Sequence, residues 1–317
     1  MISGLDASND RFLAALKAIE ARAELAQRQI SSGKKLETPS DQPDQVIELL
    51  LGRSQLDQTQ QITTNLGRAK AEVDTGEQAL EDAVSVLQNV NTLGVQGATS
   101  TQTPAQRQTI ASNVEAALEH LVADANTTVE GRHIFSGDNY SAAPYSVDLT
   151  QAHGVTAYAG GAATREMLHP SGTRFAISKS ADEIFDSSAS GASVFAAVNA
   201  LRLALQNGPT VAEGDPAYDA QYSAQTDAIH AALTQIRSAQ DYLNDALSYY
   251  GTVQTRIQEA TDTASKLEVR QKTSLSGIED ADLVQAALDL TRANTHLSAA
   301  MSARALRGNK SLFDYLG

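Results

Sequence analysis

From Ile229 to Leu267 this chain keeps a heptad-like register, and no other feature of the sequence constrains its fold so tightly. Ile229, Ala232, Ile236, Ala239, Leu243, Ala246, Tyr250, Val253, Ile257, Ala260, Ala264 and Leu267 alternate steps of three and four. Gln271 and Ser274 keep the step without the apolarity. A 3.5-residue period holds one stripe against a partner helix and imposes a left-handed supercoil. The pattern predicts one helix over 218–275. At about 1.5 Å per residue it is longer than a compact domain of this mass needs, which points to a rod.

The register recurs at both chain ends. Phe12, Leu16, Ile19, Ala23, Ala26 and Ile30 step by four and three before Gly33, which reads as a C-cap. Leu66, Ala69, Val73, Gly76, Leu80, Ala83, Leu87, Val90 and Gly94 form another stripe. Leu283, Leu290 and Leu297 are spaced by sevens, with Ala286, Ala293 and Ala300 between them. Helices are expected over 5–32, 44–98, 105–129, about 192–206, 218–275 and 280–307. Asp41 with Pro43 and Asp44 opens the second, Thr103-Pro104 opens the third, and Gly277 is expected to end the long one. Alanine-rich stripes let helices approach closely but bury little apolar area, at about 25 cal/mol per Å². Such helices need length or extra neighbours.

Between 131 and 190 the period changes. Glycines and prolines punctuate His133-Ile134-Phe135, Tyr145-Ser146-Val147, Val155-Thr156-Ala157-Tyr158, Glu166-Met167-Leu168 and Arg174-Phe175-Ala176-Ile177, which read as strands. The fold class is therefore mainly α: an elongated helical bundle or coiled-coil rod made from both chain ends, with a small β-rich insertion. The expected domains are terminal arms at 1–40 and 278–317, a long-helix rod at 41–135 and 190–277, and an outer β-rich domain at 136–189. The insertion is expected to have its own small core.

Composition narrows the chemistry. The 317 residues hold no Cys and no Trp, and aromatics are 5%. No apolar leader follows Met1 and no run approaches a membrane span of about 20 residues. A net charge of −14 argues against nucleic acid. The ends differ from the body: residues 1–35 hold six Lys/Arg against four Asp/Glu, and 292–317 hold four against Asp314 alone. Basic ends on an acidic body suit contacts between copies. The six His are scattered without metal-site spacing, and Gly160-Gly161 lacks the Lys-Ser/Thr of a phosphate loop. Glu279, Asp280 and Asp282 read as capping residues at a helix start rather than a cation site. No cofactor, metal or catalytic constellation is expected.

Ordered motifs then bring in a resemblance. Gln29-Ile30-Ser31-Ser32-Gly33-Lys34-Lys35, Thr38-Pro39-Ser40-Asp41-Gln42-Pro43, Ala125-Asn126-Thr127 with Gly131-Arg132-His133-Ile134-Phe135-Ser136-Gly137, Ser276-Gly277-Ile278-Glu279-Asp280-Ala281-Asp282, and the ending Ser311-Leu312-Phe313-Asp314-Tyr315-Leu316 resemble segments of the flagellin-like axial proteins of the bacterial flagellum. The Pro39/Pro43 segment and the ending are similar to the hook-associated branch rather than to flagellin. Gln42, His133 and the terminal Gly317 depart from that pattern. The resemblance implies a non-enzymatic structural adaptor at the hook–filament junction, between hook-associated protein 1 and flagellin. It implies export without a cleaved signal through the flagellar type III apparatus, ring assembly of copies outside the cell, and a cytosolic export chaperone binding roughly 280–316. The assembly interface so implied is Phe12, Leu16, Ile19, Ala23, Ala26, Ile30, Leu283, Leu290, Leu297, Leu312, Phe313, Tyr315 and Leu316, with Leu290 and Leu297 facing Leu16 and Ala23 or their equivalents in a neighbouring copy. Bulk flagellin and a cytosolic coiled-coil scaffold are the alternative readings; neither membrane nor nucleic acid is an expected partner.

Overall fold

The computed structural model describes residues 3–36, 43–187 and 192–308. Its helices are α1 (Ser3–Ser32), α2 (Pro43–Ala98), α3 (Pro104–Ala125), α4 (Ala181–Phe185), α5 (Val194–Gln206), α6 (Tyr218–Glu279) and α7 (Leu283–Gly308). Its strands are β1 (Thr128–Val129), β2 (Arg132–His133), β3 (Glu166–Leu168), β4 (Arg174–Ala176), β5 (Asp186–Ser187) and β6 (Ala192–Ser193). The chain divides into two compact units, one of residues 1–60 with 266–317 and one of residues 61–265.

In the second unit the heptad stripes of α2 and α6 form the core. Every α6 position from Ile229 to Ala264 in the stripe is buried, and so is every α2 position from Leu66 to Gly94. Two glycines of α2 are sockets. A Cβ on Gly76 would lie 2.8 Å from the buried Tyr250 ring, and one on Gly94 would lie 2.6 Å from Leu233. Helices α3 and α5 pack on each other and complete the bundle.

Three helix ends differ from expectation, one of them the start of α7, at Leu283 and not at 280. Helix α3 stops at Ala125 and not at 129, because Thr128 and Val129 pair with His133 and Arg132 across a tight turn. That turn places Glu130 and Gly131 at φ 52 and 76, the two left-handed residues of a type I′ hairpin. Helix α6 runs through Gly277 to Glu279, since Gly277 keeps a helical φ and a helix interior tolerates one glycine for about 1 kcal/mol. Thr103 opens α3 as expected, and Gln106 completes a capping box with it. The cap expected at Asp41 lies outside the described residues.

Among the described residues the insertion and its borders hold three two-stranded ribbons, β1–β2, β3–β4 and β5–β6, and an isolated bridge, Val147 to Val155. Its core is not its own. Phe135 and Phe185 stand edge-to-face at 6.1 Å, Phe135 meets Tyr250 of α6 at 6.1 Å, and Phe185 stacks on Phe195 of α5 at 5.6 Å. Offset and edge-to-face pairs of this kind add about 0.5–1.5 kcal/mol beyond the area they bury. A fork-to-fork ion pair between Arg165 and Glu72 ties the β3–β4 ribbon to α2. Asn126 does the same for Tyr145, donating to its carbonyl at 2.7 Å and accepting its N–H at 3.1 Å.

Candidate assembly interface

Both arms belong to the first unit and meet at a pivot built from two of the sequence motifs. Gly33 ends α1 at φ 70, and its N–H reaches back to the Gln29 carbonyl at 2.9 Å. The strand-like step that follows pairs Lys34 with Asp280. Lys35 donates to the Glu279 carbonyl at 2.6 Å, and Ala281 donates to the Gly33 carbonyl at 2.9 Å. The Glu279 carboxylate receives Arg53 at 2.8 Å and also contacts Lys34. Those hydrogen bonds, the Arg53 bond foremost, hold its pKa below the usual glutamate value. Beneath them Leu36, Leu49 and Leu275 form a small buried cluster.

The three acids expected to cap one helix start have separate duties. Asp282 is the cap of α7, its carboxylate accepting the N–H groups of Val284 and Gln285 at 3.0 Å each. Asp280 contacts the Ser276 hydroxyl, and Glu279 is the ion-pair anchor. The sequence offered one clue to this anchor, the opposite charges of Lys34-Lys35 and Glu279-Asp280. Nothing in the spacing pointed to Arg53.

Beyond the pivot α1 and α7 run antiparallel and pack along their lengths. Contacts at both ends fix the register: Gly33 with Ala281, and the Arg304 guanidinium 4.9 Å over the Phe12 ring. Within one copy that register brings Leu290 near Ala26 and Leu297 near Ile19. Small residues fill the seam. Ala26, Ala286 and Ala293 are buried, whereas Phe12, Leu16, Ile19, Ala23, Leu290 and Leu297 are half-buried. Ile30 and Leu283 are exposed, as are Leu13, Val284, Leu288 and Met301. Leu312, Phe313, Tyr315 and Leu316 lie outside the described residues. A two-helix contact leaves half of each amphipathic face uncovered, so this pair carries more apolar surface than it can use alone.

No group of three or more His, Cys, Asp or Glu among the described residues is placed to hold a metal ion. No helix among them is long and apolar enough to cross a membrane. The Asn126-Thr127-Thr128 sequon is spent structurally, because both ends of the Asn126 amide are bonded to Tyr145.

The helical regions at the two chain ends are also what known proteins share with this one. The bacterial flagellin N-terminal helical region matches residues 7–140, and the bacterial flagellin C-terminal helical region matches residues 226–316. Between them these regions take in most of the chain. It belongs to the flagellin-like family. Within the family it is similar to flagellar hook-associated protein 3 of Escherichia coli (strain K12), at 26% identity over 270 residues and 80% of each chain. Hook-associated protein-3 of Legionella pneumophila has the same fold, with a TM-score of 0.61 at 15% identity, covering 72% of this chain and 98% of that one. The flagellar junction protein FlgL of the same organism gives a TM-score of 0.55 at 15% identity, over 67% and 99% of the two chains. Flagellin-like proteins are structural parts of the flagellum, and both helical ends of this chain match theirs.

Proposed function

We propose that this protein is a structural adaptor at the hook–filament junction of a bacterial flagellum, in the role of a hook-associated protein 3. The α1–α7 pair carries this reading. It joins the two chain ends, its seam is mostly alanine, and large apolar side chains flank it uncovered: Leu13, Leu283, Val284, Leu288 and Met301. Such an arm gains stability when copies surround it, because the surface buried between copies offsets the backbone ordering cost of about 1–2 kcal/mol per residue. The terminal arms, 1–40 and 278–317, form the axial core of a ring. The hook-associated protein 1 layer lies on one side of that ring and flagellin on the other. The rod, 41–135 with 190–277, and the insertion, 136–189, lie outside the core. Export uses the flagellar type III apparatus without a cleaved signal, guarded by a chaperone on the C-terminal region.

Leu290→Asp tests this reading. The change sets a carboxylate in a seam that loses its water only in the ring, at a cost of several kcal/mol per subunit there. The core formed by residues 66–260 does not include α7, so its melting should hold. Cells carrying the variant are expected to export it, fail to retain it on the hook, and release unpolymerised flagellin. Normal filaments with no released flagellin would contradict the reading.

A further inference from the structure

A cleft of about 830 Å³ opens on the second unit, bounded by α2, the β1–β2 hairpin and the β3–β4 hairpin. Four arginines converge on it from separate elements: Arg68, Arg132, Arg165 and Arg174. That is a concentrated share of the 24 Lys/Arg in a chain of net charge −14. Only Arg165 is spent, on Glu72 at the cleft wall. Arg174 lies 3.9 Å from Glu166 with both side chains more than half exposed, a contact of little strength. Arg132 has its guanidinium carbon 4.1 Å over the Tyr140 ring centroid, and its charge acts on Glu72 only at a distance, with no ion pair among the described residues. Arg68 has no ion pair among the described residues. Against these stands one rim carboxylate without an ion pair, Glu130 at the hairpin turn.

The same unit carries the opposite surplus. Asp138, Asp182 and Glu183 gather around Tyr158, and after burial their charges help push its hydroxyl up to about 12. Burial first, and then Asp186 and Glu183, raise Asp182 itself. None of Asp138, Asp182 and Glu183 is in an ion pair among the described residues. Lys179, the cation next in sequence, has its ammonium 4.9 Å over the Tyr249 ring instead. Asp182 and Glu183 favour the start of the short helix α4 through its dipole, which explains their presence in part. It does not explain why like charges stand together without a cation while free guanidiniums stand elsewhere on the same unit.

We propose that these two surfaces are the halves of a contact between copies, in which the arginine cleft of one subunit receives the Asp182–Glu183 turn of the next. The contact is head-to-tail, joining two different patches, and a rotation that closes makes it a ring. Guanidinium forks on carboxylates give it direction and register. The inference deepens the junction reading and rests on it.

The chain has no Cys, so introduced thiols report without background. The double variant Arg174→Cys with Glu183→Cys, as the only copy in the cell, is treated with a bis-maleimide on purified hook–filament complexes. A spacer is needed because a direct disulfide requires Cα atoms within about 7 Å. The expected product is a ladder of dimers, trimers and larger species, while each single variant stays monomeric. The pair Arg68→Cys with Asp182→Cys samples a second register, and a ladder from either pair supports the contact. Monomers from both pairs, on complexes that hold the variants in wild-type amount, overturn the contact and leave the junction reading standing. Absence of the wild-type protein from the complexes removes both. A charge swap gives an independent readout: Arg68→Glu with Arg174→Glu should lower the retained protein about tenfold, and adding Asp182→Arg with Glu183→Arg should restore most of it. Unchanged retention in the first variant, or no recovery in the second, overturns the proposal.

Discussion

Lys35 and Glu279 are joined through the backbone, the N–H of one donating to the carbonyl of the other at 2.6 Å, although they stand near opposite ends of the chain. This bond, with the return bond from Ala281 to Gly33, makes the arms one object. It also places the Glu279 side chain between Arg53 and Lys34, so charge and backbone hold the same joint.

Glu279→Gln should therefore loosen the pivot specifically. The cationic partners are about half exposed, so the loss is on the order of 1 kcal/mol. Hydrogen exchange at the Lys35 and Ala281 amides should speed up, with the melting of the residue 66–260 core unchanged. The Glu279 pKa is depressed in the folded state, so its contribution is present above the ordinary glutamate value and disappears as pH falls through the folded value. Wild-type protein should show the same loss of protection at these amides in acid, after correction for the intrinsic slowing of exchange at low pH, and the variant should show no further loss there.

Two glycines of α2 should respond oppositely to alanine. At Gly67 a Cβ meets nothing within 4 Å, so Gly67→Ala should stabilise by about 0.5–1 kcal/mol through helix propensity. At Gly76 the Cβ would stand 2.8 Å from the Tyr250 ring, which is fully buried, so Gly76→Ala should cost about 1–3 kcal/mol despite the same propensity gain. Chemical denaturation of both variants decides the matter.

Acidity acts on Asp124 in the opposite sense from Glu279. Burial on α3 raises it to about 6, with His120 pulling it down and Asp82 pushing it up. A folded pKa above the unfolded one means the folded state holds the extra proton. Its contribution is full below about 4 and is lost as pH rises through about 6. Asp124→Asn should remove that dependence and stabilise the protein at pH 7.5 by on the order of 1 kcal/mol, allowing for the solvent that reaches the group. Denaturation midpoints of the two proteins should converge at pH 4.5.

Asn126→Asp should destabilise by about 1–3 kcal/mol, because a carboxylate cannot donate to the Tyr145 carbonyl that the amide now satisfies at 2.7 Å. Calorimetry of the variant checks this.

The long-helix plan was legible because its signal is periodic. Each stripe position from Leu66 to Gly94 and from Ile229 to Ala264 is buried as its spacing implies. Past Leu267 the register breaks: Leu275 is buried where Ser274 would continue the count, a step of four after four that a strict heptad cannot foresee. The insertion was legible only as a change of period. Its ribbons are two or three residues long, and its attachment rests on Arg165 with Glu72 and Phe135 with Tyr250, pairs far apart in sequence. Arg107 was missed for the same reason. It is fully buried yet finds neutral partners, Gln225 at 2.6 Å and Thr226 at 3.2 Å, with the Tyr222 ring at 4.1 Å, from α6. Of the α1–α7 pair within one copy, the stripe positions could be read from spacing, but their register is set by the pivot and not by spacing.

The junction reading is tested most directly by locating the protein on purified hook–filament complexes with a gold-labelled antibody. The account predicts a narrow band of label at the boundary between hook and filament, and none along the filament. Label distributed along the whole filament would make the chain a bulk subunit, and its absence from complexes of cells that express it would contradict the account altogether.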